Sequence, residues 1–254
     1  MLRKIALSLI LTALFTPALL AQTVDEIVAK HIAATGGADK IKSIKTIRMN
    51  GKLEAQSMEA PFVMLVKQPN MLRNEITIQG LVLVQAWDGK SGWDIVPFTG
   101  KKDPEAVTAD EAKELQDQAD LWPLLDYQSK GNKVELLGKD KIEGSDAYKL
   151  KLTRASGDVE IVYLDTDSFL EIKVEATRNI RGSEQQTETS YSDYRDTNGL
   201  MLPYAIESSV KGSPDKQKIT VEKVEVNVPV EDSVFKMPPP APKTAEKPAE
   251  KPKN

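Results

Sequence analysis

PFVMLVKQPNMLRNEITIQGLVLVQAWDGKSGWDIVPF, residues 61–98, decides how the rest of the 254-residue chain is read. It holds four short apolar runs divided by turn signals: Pro69-Asn70, then Gly80, then Asp88-Gly89 followed by Gly92. Asp-Gly between apolar runs predicts a tight hairpin with a type I′ turn, which needs positive φ at both central residues. In the second run Leu72, Ile76 and Ile78 share one face, and Arg73, Glu75, Thr77 and Gln79 share the other. Residues 62–66 and 81–84 are apolar on both faces, so each needs cover on both sides unless one side lines an apolar space. The stretch is the centre of an antiparallel meander.

Upstream, Arg3 and Lys4 precede the apolar residues 5–20, and residues 18–21 (ALLA) offer a cleavage site before Gln22. This is the pattern of an export signal peptide. The apolar run, about 16 residues and containing Pro17, is short for a membrane span, which needs roughly 20. Removing Arg3 and Lys4 takes the formal net charge from −4 to −6, which argues against nucleic acid and strongly anionic surfaces as partners. There is no cysteine, hence no disulfide and no thiol to carry a lipid near the cleavage site.

Thr23-Val-Asp-Glu26 is a capping box that opens a helix. Val24, Ile27, Val28, His31 and Ile32 form its apolar stripe, and Gly36-Gly37 stop it. His31, the single histidine, reads as a packed helix residue. A first strand covers residues 46–53, with Gly51 at a bend. After the meander a second capping box, Thr108-Ala-Asp-Glu111, starts a helix carrying Ala112, Leu115, Ala119 and Trp122 up to Pro123. Two readings of that helix stand: a cover for a filled core, or a lid over a cavity. From Lys133 onward half-buried strands follow one another. Among them Leu170, Ile172, Val174 and Ala176 face inward, and Glu171, Lys173, Glu175 and Thr177 form a charged outer face. The phase changes between Ile219/Val221 and Val224/Val226, predicting a bulge near Glu222-Lys223. Roughly ten strands at this spacing predict an all-β sandwich or barrel. Residues 238–254, PPPAPKTAEKPAEKPKN, cannot bury a core and read as a solvated tail.

Catalytic patterns are scarce. One histidine and no cysteine leave no nucleophile pair unless His31 serves, and a two-histidine zinc site is impossible. Asp165 and Asp167 read as hairpin-turn residues rather than calcium ligands, and Asp25-Glu26, Glu143 and Asp146 as a helix start and a turn. No enzyme and no cofactor is expected.

VKQPN-M-L (residues 66–72) followed by WDGKSGWDIVPF (87–98), with VNVPVEDSVFKMP (226–238) at the end, resembles the LolA/LolB superfamily of bacterial lipoprotein carriers. Gln68 stands where those carriers usually have a basic residue tied to lid closure. The resemblance implies an all-β fold with accessory helices: a strongly curved antiparallel sheet, an unclosed half β-barrel, with helices across its open face. Residues 1–21 would be the signal peptide, 22–237 the half-barrel and 238–254 the tail. It implies a periplasmic monomer that carries lipoprotein acyl chains, or another lipidated cargo, from an inner-membrane donor to an outer-membrane acceptor. Binding of a free lipid or glycolipid is the alternative. The cavity would be lined by Phe62, Met64, Leu72, Ile76, Trp87 and Trp93, with Leu115, Trp122, Leu124 and Leu125 from the helix.

Overall fold

A computed structural model describes residues 22–56, 58–100, 103–180 and 183–239; the expected leader at 1–21 and most of the expected tail lie outside them. Two helices come first. Helix α1 (Val24–Thr35) has the anticipated capping box, with Thr23 Oγ1 accepting from Glu26 N and the Glu26 carboxylate accepting from Thr23 N. Helix α2 (Ala38–Ser43), unforeseen in the sequence, is only six residues long, too short to show a helical period.

The first meander comprises β1 (Thr46–Ala55), β2 (Met58–Lys67), β3 (Met71–Ile78), β4 (Leu81–Trp87), β5 (Gly92–Ile95) and the short β6 (Glu105–Ala106). Helix α3 (Ala109–Ala119) and a run of turns lead to the second meander. That one comprises β7 (Lys133–Ile142), β8 (Ser145–Thr153), β9 (Val159–Asp165), β10 (Glu171–Ile180), β11 (Ser183–Thr197), β12 (Leu200–Val210) and β13 (Lys216–Val226). All 13 strands form one sheet in the order β6-β5-β4-β3-β2-β1-β13-β12-β11-β10-β9-β8-β7, every neighbour antiparallel. Its edges, β6 and β7, do not pair, so the sheet is an unclosed half-barrel.

This order settles where α3 must go. The chain leaves one edge at β6 and re-enters at the opposite edge, β7, so residues 107–132 have to cross the open face. Buried residues of α1, β1, β2, β8, β9, β12 and residues 122–125 all belong to one cluster, which only a sheet curled around them permits.

Turn chemistry followed the sequence with one correction. Asp88-Gly89 does not form a type I′ turn: Gly89 alone has positive φ, and four residues separate Trp87 from its partner Gly92. The Asp88 carboxylate instead accepts from the backbone N–H groups of Lys90 (2.9 Å) and Ser91 (2.7 Å), a side-chain turn that competes with the tighter one. The two-residue loops with both φ positive are Gln79-Gly80, Glu143-Gly144 and Asn198-Gly199.

The bend at Gly51 and the phase change at Glu222 are two sides of one irregularity. Asn50 pairs with Lys223 and Gly51 with Val221, leaving Glu222 unopposed. A Cβ on Gly51 would lie 2.1 Å from Thr220 O and 2.7 Å from the Phe62 ring. Gly144 sits at φ +92 with nothing nearby. Gly51→Ala should therefore cost up to about 3 kcal/mol through overpacking, and Gly144→Ala about 1 kcal/mol through backbone strain. Urea midpoints of the two variants measure the difference, and equal losses would show that the bulge does not require glycine.

Candidate functional site

Cross-strand partners share a face of the sheet, so the register sorts side chains without ambiguity. On the concave side one row runs Trp87, Leu72, Val66, Ile47; a second runs Gln85, Asn74, Met64, Met49, Val224; a third runs Leu83, Ile76, Phe62, Gly51. A further row continues through Leu53, Ile219, Ile206 and Tyr191. The first row is closed off, with Leu72 at 0 % exposure and Val66 at 2 %. Beyond it the cover thins: Met64, Ile76, Leu83, Leu53, Ile219, Ile206 and Val224 are all only half-buried. These are apolar groups at the middle of a sheet, on the side that helices should cover, and they still present surface. A filled core would leave them none.

Nine of the ten residues expected to line a cavity fall into three places. Phe62, Met64 and Ile76 lie on the incompletely covered part. Leu72, Trp87 and Leu115 pack together with Val66 and Ala119 beneath α3. Gly92 permits that approach, since a Cβ there would lie 2.6 Å from Val107 and 3.2 Å from Leu115. Trp122, Leu124 and Leu125 belong to the central cluster with α1; α3 stops at Ala119, so they sit on the turns that follow it, not on the helix. A groove of about 620 Å³ runs between those turns and the small residues Ala29, Ala33 and Ala38.

Trp93 is the exception to the set. It pairs with Ala86, whose neighbour Trp87 faces the other way, and it clusters with Val84 and Ala86 on the convex side. A strap formed by residues 228–237 covers it there. Trp93 Nε1 donates to Phe235 O (2.7 Å), Arg73 Nη1 to Val234 O (3.0 Å), and Lys67 Nζ to Val230 O (2.7 Å), with Asp232 also 2.5 Å from Lys67. Of residues 81–84, Leu83 thus faces the interior and Val84 packs with Trp93 on the outer face, while Leu81 and Val82 are exposed.

Sequence reading missed the second half of the concave face. Val174 pairs with Val162, which pairs with Leu150, all on the inner side. It also misplaced Glu171. The strict alternation put this carboxylate on the outer face, but β10 bulges between Glu171 and Lys173. Glu171 is therefore set opposite Leu164, which is 0 % exposed and inward-facing. Burial, with Glu160 nearby adding to it and Arg154 opposing, pushes the Glu171 carboxyl up to about 8.

Around the rim, charges tie α3 to the β8–β9 hairpin. Arg154, following β8, grips Glu160 at 3.1 and 3.2 Å and lies 3.7 Å from Asp117 of α3. Lys113 of α3 reaches Asp158 at 2.6 Å. His31 is a packed residue, as expected, with its Nδ1 2.9 Å from Phe169 O; burial lowers its pKa, opposed by that hydrogen bond. The Asp165 carboxylate caps its own turn, accepting from Asp167 N and Ser168 N.

No family model matches the chain, and no curated protein matches it. Solved structures do. A LolA superfamily protein from Nitrosomonas europaea aligns with a TM-score of 0.57 at 16% identity, over 85% of this chain and 98% of its own. A DUF1329 family protein from Desulfovibrio piger aligns at 0.59 and 10% identity, over 85% and 98%. A putative outer membrane lipoprotein-sorting protein domain from Vibrio parahaemolyticus aligns at 0.55 and 12% identity, over 83% and 94%. Over nearly its whole described length, then, the chain has the LolA-like fold.

Proposed function

We propose that this protein is an exported, non-catalytic carrier that holds the acyl chains of a lipoprotein, or of another lipidated molecule, against its concave face for transfer toward the outer membrane. The observation that carries this reading is the half-buried apolar surface at the centre of the sheet, from Met64 and Ile76 through Leu53 to Ile219 and Ile206. The LolA-like fold supports it, as does the likeness to the Vibrio lipoprotein-sorting domain. In this reading residues 1–21 are a cleaved leader acting before periplasmic release, and 238–254 a solvated tail.

Acyl chains would gain roughly 0.8 kcal/mol per buried CH₂, so a long chain gains more than a carrier that must release it can tolerate. Something has to compete for the cavity, and α3 is the candidate. Its seat is imperfect: Trp87 Nε1 and Asn74 Oδ1 are buried there without hydrogen-bond partners. Each such group costs about 1–3 kcal/mol, which lowers the cost of lifting the helix. The absence of a cation at Gln68 is offset from the other side of the opening, where Lys113 and Arg154 hold α3 to the β8–β9 hairpin.

Uptake of a fluorescent acyl probe tests the cavity. Ile219→Asp, which places a charge inside, should weaken uptake at least tenfold, whereas Val82→Asp, at an exposed position, should not. Equal behaviour would remove the cavity from the reading. Native mass spectrometry of the protein isolated from its own cells identifies the cargo: a lipidated polypeptide supports the carrier, a free lipid replaces it with the alternative. The latch is tested by Lys113→Met. Because that pair is partly exposed and worth up to about 1 kcal/mol, its loss should speed probe release by up to about fivefold while lowering the melting temperature by no more than about 4 °C. Arg154 is unsuited to this test, because removing it would strand buried Glu160 and Asp117 and cost stability directly.

A further inference from the structure

Glu171 is a carboxyl on the concave face that a passive apolar seat does not need. The residue is half-buried and the β10 bulge sets it opposite the inward-facing Leu164. No hydrogen bond reaches that side chain among the described residues; only its backbone carbonyl is engaged, by the Tyr194 hydroxyl at 2.6 Å. The nearby acid, Glu160, differs in kind. It is held by two hydrogen bonds from Arg154 and is 4 % exposed, so it is a structural ion pair. Around Glu171 the inner side is apolar: Leu164 opposite, then Val162 and Val174 along the face. A carboxyl set among apolar side chains without a hydrogen-bond partner is disfavoured as an anion, and proteins that keep one commonly use it.

We propose that Glu171 is the polar handle of the cargo cavity, donating a hydrogen bond to the carbonyl oxygen of an acyl ester or amide whose chains lie along the half-buried apolar rows. The proposal rests on the carrier reading and adds to it a fixed point for the head of the cargo. The chemistry is complementary. An acyl carbonyl entering an apolar cavity must find a donor, and a neutral carboxylic acid supplies one where a carboxylate cannot.

Of the charged neighbours, Glu160 favours the neutral form and Arg154 opposes it. From β9 comes Glu160, whose charge disfavours a second anion, and from beyond β8 comes Arg154, already committed to Glu160 and flanked by Asp117 and Asp120 of the α3 side. From β11 come Tyr191 and Tyr194, the latter raised above the ordinary tyrosine range by burial and then by Glu171. From α1, His31 is occupied with Phe169 O and kept neutral by burial, and Lys30 lies over the Phe169 ring. None of these offers the Glu171 side chain a hydrogen bond, so its proton is free for a ligand.

The test uses a pyrene-labelled diacylglycerol, which has ester carbonyls, and a pyrene-labelled alkane, which has none, titrated into the protein between pH 6 and 9.5. Wild type should bind the ester less well as pH rises through about 8, where the donor is lost. Glu171→Gln keeps a donor at every pH and should show a flat profile. Glu171→Leu should bind the ester about tenfold more weakly at pH 6.5 and the alkane no worse. A ligand-free arm checks the ionisation itself. The acid's folded pKa is raised, so the folded state holds the proton longer than the unfolded one, and stability falls as pH climbs from about 4.5 to about 8. That decline should vanish in Glu171→Gln. Parallel ester profiles in wild type and Glu171→Gln, or undiminished ester binding by Glu171→Leu, would overturn the handle and leave the carrier reading standing. Failure of wild type to bind either probe would overturn both.

Discussion

Strand β1 pairs with β13 over nine residue pairs, and this seam turns two meanders into one sheet. Each meander steps away from the seam in its own direction, so the chain's midpoint is stranded between the two outer edges, β6 and β7. The crossing of the open face by residues 107–132 follows from that arithmetic of topology and needs no special sequence signal. The seam also sets the curvature. An unopposed Glu222 and a glycine with no room for a Cβ bend the sheet at the join of its halves, where a concave face needs the bend.

The stretches that carry the family resemblance meet in space, beneath α3 through Val66, Leu72 and Trp87 and again on the convex side. Lys67 of VKQPN touches Asp232 and Val230, and Trp93 of GWDIVPF donates to Phe235, all on the convex side. Those residues fasten the C-terminal strap to the outer face of the first meander. The pattern is therefore a signature of how the half-barrel is tied together. It carries fold information well and cargo information poorly, which is why the likeness to solved structures extends along the chain at 10–16% identity while the cavity must be judged on its own residues.

Local signals were legible in the sequence and parity across irregularities was not. Both capping boxes, at Thr23/Glu26 and Thr108/Glu111, depend on contacts three residues apart and formed as read. The Gly51/Glu222 bulge was visible because the apolar phase changes across it. The bulge at Glu171 was not visible, because Leu170, Ile172, Val174 and Ala176 alternate without interruption, so an acid turned inward looks in sequence like one turned outward. The face of Trp93, by contrast, was legible. Trp87 and Trp93 flank the same turn, and any even number of loop residues, two or four, sets Trp93 opposite Val84 or Ala86, on the face away from Trp87. Trp122 continues the helical spacing past Ala119, so the sequence extends the helix to Pro123, whereas α3 ends at Ala119. As a result the lining was sought wholly in the first meander and the helix, and the contribution of β10, β12 and β13 went unread.

A carrier needs a cavity good enough to hold acyl chains in water and poor enough to surrender them. Apolar area alone cannot meet both demands, since affinity then grows with every CH₂ and release slows accordingly. On the carrier reading proposed above, this structure divides the problem between unlike terms. The half-buried rows supply a non-directional gain, and the underpartnered seat of α3 and its partly exposed Lys113–Asp158 pair keep the cost of opening low. A directional contact at one end of the cavity, of the kind Glu171 can make, adds registration without adding much area. Its strength is set by a single proton, so it is the term most easily changed by where the protein is.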